Sequence, residues 1–156
     1  MKKIYPQLNK QHGLAAIELT IILPFLLFLL FATAEFGRLL YQYNALTKTV
    51  RDATRFATSH ASPGTTGVVD LSQIESEIAL LLRFGQLSTG TLLLPEADQD
   101  EVLSVTSSTD GDLITINVTY QWQPIFADFI PNFMGGNEID LGFPIRTQYT
   151  MRVIDV

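Results

Sequence analysis

The chain has 156 residues, no cysteine and a formal net charge of −6 at pH 7. This length allows one domain of ordinary size plus an anchor, and the absence of cysteine excludes a disulfide framework and thiolate catalysis. Three lysines precede residue 13, so the rest of the chain carries seven Lys and Arg against sixteen Asp and Glu, a charge of −9. A surface this acidic repels nucleic acid phosphates, and we therefore expect no nucleic acid partner.

A basic stretch and a long apolar run form the N-terminus. Residues 1–13 contain three lysines, Lys2, Lys3 and Lys10. Residues 14–34 contain one charge, Glu18. A helix of this length, rising about 1.5 Å per residue, can cross the hydrocarbon core of a bilayer, and flanking lysines orient their end toward the cytoplasm. The sequence therefore predicts one membrane-spanning helix over residues 14–36, with the lipid bilayer as a partner and the following domain outside the cytoplasm.

Three interpretations of this N-terminus compete. A secretory signal peptide would be cut after the apolar run, where Ala32-Thr33-Ala34 resembles a cleavage site, but it gains nothing from the carboxylate of Glu18. A signal anchor needs only the apolar length and the flanking lysines. A type IV prepilin-type leader, residues 1–13, would end at Gly13 and be cut before Leu14, with a glutamate as the fifth residue of the apolar segment. The spacing from Gly13 to Glu18 fits the third interpretation.

Glu18 is the most informative single residue. An ionisable side chain within a membrane segment costs roughly 2.5–3.5 kcal/mol on insertion scales and is a candidate functional residue for that reason. Cleavage before Leu14 would create an α-amino group, which is mostly cationic at neutral pH. Glu18 could neutralise the amine of its own chain or of a neighbouring subunit, so its predicted role is in assembly. The alternative is a solvated carboxylate at the membrane interface without a function.

The helical pattern continues beyond the apolar run. Apolar residues recur at alternating spacings of three and four: Phe36, Leu39, Tyr43, Leu46, Val50, Ala53 and Ala57. This spacing places these apolar residues in a stripe on one face of a helix. We expect the helix to run from about Ala15 to His60. Its second half, residues 37–61, is amphipathic and should bury the stripe. Glu35 and Arg38 share a helix face near the outer end of the anchor. They predict either a local ion pair at the lipid headgroups or a pair between subunits.

An ordered series of short motifs runs along this helix. It consists of Gly13, Ala15-Ala16-Ile17-Glu18-Leu19, Ile22-Leu23-Pro24, Glu35-Phe36-Gly37-Arg38, Tyr43-Asn44-Ala45-Leu46 and Arg51-Asp52-Ala53-Thr54-Arg55-Phe56-Ala57. The series resembles the N-terminal signature of TadE-like proteins, the minor pilin or pseudopilin class of tight-adherence (Flp, type IVc) pilus systems. The resemblance implies a bacterial inner-membrane protein, pilus-associated, whose partners are a prepilin peptidase, other pilins and the inner-membrane assembly platform.

The remaining residues, 62–156, predict an exported α+β domain. Residues 63–69 form a linker, and Asp70 is a candidate cap of a second helix that ends near Phe84. Alternating apolar residues predict strands at 103–105, 114–122 and 145–153, with a hairpin turn at 109–112. A short extended piece is expected at 91–94. The predicted fold is pilin-like, a long helix packed on a small antiparallel sheet with one extra helix.

The sequence carries no catalytic pattern, so we expect a structural protein without a cofactor and not an enzyme. The two histidines lie far apart in the chain, and no phosphate-binding loop or nucleophile elbow is present. Five acidic residues could gather a calcium ion, although their spacing is not that of an EF-hand: Asp98, Asp100, Glu101, Asp110 and Asp112. Residues 126–134 are either a flap over the sheet or a contact surface. The alternative function is a membrane-anchored periplasmic scaffold or binding domain outside any pilus.

Overall fold

The computed structural model describes residues 11–63, 69–126, 129–130 and 135–153. The chain divides into two units, Met1–Gly37 and Arg38–Val156, and each is described by itself. Helix α1, Gln11–His60, runs through the division. Its end agrees with the predicted end, whereas its beginning lies before residue 13, so the last residues of the predicted leader are helical. The first ten residues of that leader lie outside the described residues.

The described part of the first unit is the apolar beginning of α1. Every side chain from Gly13 to Ala34 is exposed, and this helix is long and apolar enough to cross a membrane. The hydroxyl of Thr20 donates a hydrogen bond to the carbonyl oxygen of Ala16 at 2.8 Å, and that of Thr33 to the carbonyl oxygen of Leu29 at 2.7 Å. These polar groups are satisfied within the helix, as a lipid environment requires.

The second unit combines the rest of α1 with a short helix and antiparallel strands. The further elements are β1 (Ser62–Pro63), β2 (Val69–Asp70), α2 (Glu75–Phe84), β3 (Leu103–Asp110), β4 (Leu113–Gln121), β5 (Phe129–Ile130), β6 (Ile139–Asp140) and β7 (Pro144–Arg152). Strands β3, β4 and β7 form a three-stranded antiparallel sheet in that order, β1 pairs with β2, and β5 pairs with β6. The α+β fold with a long helix, a small antiparallel sheet and a second helix is thus confirmed.

Strand β4 is the central strand of the sheet. Its alternating apolar side chains are buried: Ile114, Ile116, Val118 and Tyr120. The turn from β3 to β4 contains Gly111 and Asp112, between the paired residues Asp110 and Leu113. Gly111 has φ +61°, a left-handed conformation that glycine adopts without steric cost. The predicted hairpin turn is therefore in place, and it fixes which face of β4 points into the core.

The outer half of α1 contributes one wall of the core. Leu46, Val50, Ala53 and Ala57 have no exposed surface and belong to the same buried cluster as the inward side chains of β4. Two members of the predicted stripe do not: Phe36 is 60% exposed and Tyr43 is 46% exposed. A spacing that averages 3.5 residues drifts by about 20° per seven residues on a helix of 3.6 residues per turn. Toward its N-terminal end, at Tyr43 and Phe36, the stripe therefore turns away from the buried face of the helix. Gln42 is buried in place of its neighbour Tyr43.

The beginning of α2 differs from the prediction. The helix starts at Glu75, and Asp70 pairs with Ser62 in the β1–β2 hairpin. The Asp70 carboxylate accepts a hydrogen bond from the amide of Ser72 at 2.9 Å, which lowers the pKa of that carboxyl. Asp70 thus stabilises a turn ahead of the helix instead of capping it. The predicted end is confirmed, because Gly85 follows Phe84 with φ +69° and donates its amide to the carbonyl oxygen of Leu81.

Two smaller expectations also differ. No strand forms over residues 91–94. The amide of Leu93 instead donates to the carbonyl oxygen of Arg83, which folds this segment back onto the end of α2. Val105 in β3 is 36% exposed, whereas Leu103 is buried. Strand β3 lies at an edge of the sheet, and the core covers only its beginning.

We expect Leu46→Ala to lower the free energy of unfolding of the second unit by about 2–5 kcal/mol, because truncation of a fully buried leucine leaves a cavity. Thermal unfolding of the full chain in detergent, followed by the fluorescence of Trp122, the only tryptophan, measures the change. Leu40→Ala is the matched control on the same helix, since Leu40 is 45% exposed. Equal destabilisation by both variants would contradict the observed orientation of α1.

Candidate functional site

The predicted processing and assembly residues lie at the beginning of α1. Gly13 and Leu14 are consecutive helical residues, and Glu18 follows one turn after Leu14. All three are exposed, Leu14 to 73%. A Cβ atom added to Gly13 would meet no other atom within 4 Å. Cleavage before Leu14 and the role of Glu18 stay predictions, and the structure places these residues on one exposed segment of α1.

Arg38 is the first residue of the second unit, and its guanidinium contacts the segment that follows β4. The guanidinium donates a hydrogen bond to the carbonyl oxygen of Gln123 and lies over the indole ring of Trp122, with 4.1 Å between Cζ and the ring centroid. Such a cation–π contact stabilises by about 0.5–2 kcal/mol. Because Trp122 is 3% exposed, this contact ties α1 to the end of the central strand. The predicted pairing of Arg38 with Glu35 stays a prediction.

A small polar network surrounds this contact. The hydroxyl of Tyr120 donates to the carbonyl oxygen of Pro95 at 3.2 Å, and the side-chain amide of Gln123 donates to the Glu96 carboxylate at 3.1 Å. Burial raises the pKa of Tyr120, the nearby Arg38 charge opposes this shift and the Glu96 charge adds to it. The network fastens the loop before β3 to the end of β4.

The five acidic residues considered as calcium ligands lie in two places. Asp98, Asp100 and Glu101 precede β3, and Asp100 pairs with Arg83 at 2.5 Å. Asp110 and Asp112 lie at the β3–β4 turn, and Asp112 pairs with Arg152 at 2.7 Å. Within the described part of the chain, no three Asp, Glu or His side chains come together in a group that could hold a metal ion.

Large apolar side chains are exposed on the connection from β4 to β7. They are Ile125, Phe126, Phe129, Ile139 and Phe143, with exposed fractions from 43% to 67%. Within residues 126–134, Phe126 and Phe129 are therefore exposed, which favours the contact surface over the flap for these two residues. Residues 127–128 and 131–134 lie outside the described residues.

Sequence reasoning missed the contacts of Arg38 with Trp122 and Gln123. The spacing of Glu35 and Arg38 predicts a partner for Arg38 on its own helix or in a neighbouring subunit. Gln123 is 85 positions later in the chain, and no local pattern connects the two segments. The sequence offers one indication of such a contact. Trp122 lies at the end of an alternating strand, and a buried indole is commonly covered by a side chain from another element.

The comparison with protein-family models finds one match in this region. Residues 13–55 match the model described as TadE-like protein. The matched range contains Gly13, Glu18, Glu35 and Arg38, and it confirms the resemblance expected from the sequence. The comparisons with curated proteins and with solved structures found no match. The matched range covers less than a third of the chain, and the apolar helix within it could anchor the chain in a membrane.

Proposed function

We propose that this TadE-like chain is a minor pilin or pseudopilin, a non-catalytic structural component of a tight-adherence pilus or a related secretion assembly. The match of residues 13–55 to the TadE-like family carries the proposal. The matched segment is a single helix that begins with the candidate leader junction and continues into the core of the second unit. In this proposal, one helix would contain the leader junction and the membrane anchor, and its outer half forms a wall of the folded domain.

The position of the leader junction supports this role. A prepilin peptidase cuts ahead of the apolar segment, so cleavage between Gly13 and Leu14 would leave the anchor attached to the folded domain. The first part of α1 exposes apolar side chains throughout, which suits lipid before assembly and other pilin helices after it. The proposed partners are therefore the prepilin peptidase, other pilins and the inner-membrane assembly platform.

We expect the second unit to lie outside the cytoplasm of the bacterial host, because Lys2, Lys3 and Lys10 orient the N-terminus inward. An alkaline phosphatase fused after Val156 should be active, since this enzyme works only after export. A cytoplasmic reporter fused at the same position is the control and should stay inactive. Activity of the cytoplasmic reporter alone would contradict the proposed orientation.

N-terminal sequencing of the mature chain from its native host tests the proposed function. A pilin or pseudopilin should begin at Leu14 and copurify with other pilins. A chain that keeps its first 13 residues and leaves pilus assembly unchanged when deleted would instead be a permanently anchored scaffold or binding domain. A chain that begins after Ala34 would be a secreted protein, and both proposals would be wrong.

A further inference from the structure

Basic residues of the second unit concentrate in one groove. The groove, with a volume of about 820 Å³, lies between the outer half of α1 and the end of β7. Four of the seven Lys and Arg that follow residue 13 line it: Lys48, Arg51, Arg55 and Arg152. Asp52 is the one carboxylate among the lining residues, so the lining carries a charge of +3. This concentration is notable in a chain whose charge after residue 13 is −9.

The cations on α1 are available to a partner. Lys48, Arg51 and Arg55 are exposed, and none of the three forms an ion pair with another described residue. The guanidinium of Arg51 lies 6.0 Å from the centre of the Tyr149 ring, which directs it toward β7. Arg152 pairs with Asp112 at 2.7 Å, so the groove and Asp112 together carry a charge of +2. The groove thus favours an acidic ligand.

The same chain contains an acidic loop before β3. Residues 96–101 hold four carboxylates on exposed side chains: Glu96, Asp98, Asp100 and Glu101. Arg83 pairs with Asp100, so the loop and its partner carry a charge of −3. Hydrogen bonds fix the loop, because Glu96 accepts from Gln123 and the amide of Leu103 donates to the carbonyl oxygen of Gln99. The loop is therefore a preformed acidic surface.

The Arg152 end of the groove and the acidic loop lie at opposite ends of the sheet. The groove meets β7 at Arg152, which pairs with Leu113 at the beginning of β4. The acidic loop leads into Leu103, which pairs with Tyr120 near the end of β4. At about 3.4 Å per residue, the distance from Leu113 to Tyr120 is about 24 Å. The loop of one chain therefore does not reach the Arg152 end of its own groove, whereas the loop of a second copy can.

We propose that the acidic loop of one copy binds the basic groove of the next copy. Opposite charges on two different surfaces give a heterologous, head-to-tail contact, which repeats from copy to copy when it does not close into a ring. Complementary charges also fix the orientation of such a contact and exclude like-charged surfaces. The inference deepens the proposed pilus role and rests on it for the biological setting, but the contact itself requires only two copies in one membrane.

Cysteine crosslinking of the full chain tests the contact, since the chain has no cysteine of its own. Asn44 lines the groove and Gln99 lies in the loop, so Asn44→Cys and Gln99→Cys keep every charge. Oxidation of membranes that contain both variants should give a crosslinked dimer, and membranes with either variant alone should not. The control pairs Gln99→Cys with Thr106→Cys, an exposed position on β3 outside both surfaces. A yield no higher than that of the control pair would overturn the proposal.

Charge reversal tests the electrostatic basis. Arg51→Glu with Arg55→Glu in the Asn44→Cys copy should lower the crosslink yield about tenfold or more, as expected when close charge pairs become repulsive. Asp98→Lys with Glu101→Lys in the Gln99→Cys copy should restore it, which a misfolded variant could not do. Crosslinking that survives the reversal would overturn the proposal. Leader cleavage, seen as a mass shift on the same gel, separates failure of this contact from failure of the proposed pilin role.

Discussion

Gly13→Trp is expected to leave the chain at full length in a host whose prepilin peptidase shortens the wild type by 13 residues. Glycine leaves the backbone before Leu14 uncovered, and an indole at this position would block the approach of a peptidase. A Cβ atom at Gly13 meets nothing within 4 Å, so the substitution should not disturb the described fold. Mass spectrometry of the membrane-extracted chain measures the result.

Gly37→Trp is the matched control for this variant. Gly37 is also a helical glycine of α1 at which an added Cβ atom meets nothing within 4 Å. It lies far from the proposed cleavage site, so this variant should be shortened like the wild type. If the wild type stays at full length in its native host, cleavage after Gly13 is disproved. If Gly13→Trp is shortened like the wild type, the requirement for glycine before the cleavage site is disproved.

The elements with a clear local pattern could be predicted from the sequence. The helix end at His60, the turn at Gly111 and the inward side chains of β4 depend on turn chemistry and on the spacing of apolar residues. Each of these signals extends over only a few neighbouring residues. The motifs of residues 13–55 that match the TadE-like model are equally local, so the sequence alone carries the resemblance.

Features that depend on distant residues could not be predicted. The position of Asp70 in a β hairpin depends on Ser62, and its carboxylate could equally have capped a helix. Gln42 is buried although it is polar, which hydropathy alone does not reveal. The basic groove joins residues of α1 to Arg152, about a hundred positions later. Tertiary packing decides these features, and no periodicity encodes it.

The second large effect concerns Glu18, which we expect to act in assembly and not in folding. Glu18 is exposed on the apolar part of α1, four residues after Leu14. If cleavage creates a cationic amine at Leu14, a neighbouring subunit's Glu18 can pair with it in lipid, where an unpaired charge is costly. Pairing within one chain is the competing arrangement, because residues four apart on a helix also meet.

Glu18→Ala should therefore reduce incorporation into the filament, or crosslinking to other pilins, by about tenfold or more, since it leaves the amine unpaired in a low-dielectric setting. Membrane insertion, leader cleavage and thermal unfolding of the second unit should be unchanged. Glu18→Asp should do less harm, because it keeps the charge. Thr20→Ala is the matched control, since Thr20 is also exposed and polar but forms its hydrogen bond within its own helix.

A mixture of wild-type and Glu18→Ala subunits separates pairing between subunits from pairing within one chain. A Glu18→Ala subunit keeps its own amine, which the Glu18 of a wild-type neighbour can pair with. Wild-type neighbours should therefore recover its incorporation only if Glu18 acts between subunits. Normal incorporation of Glu18→Ala without such neighbours would show that the carboxylate has no role in assembly.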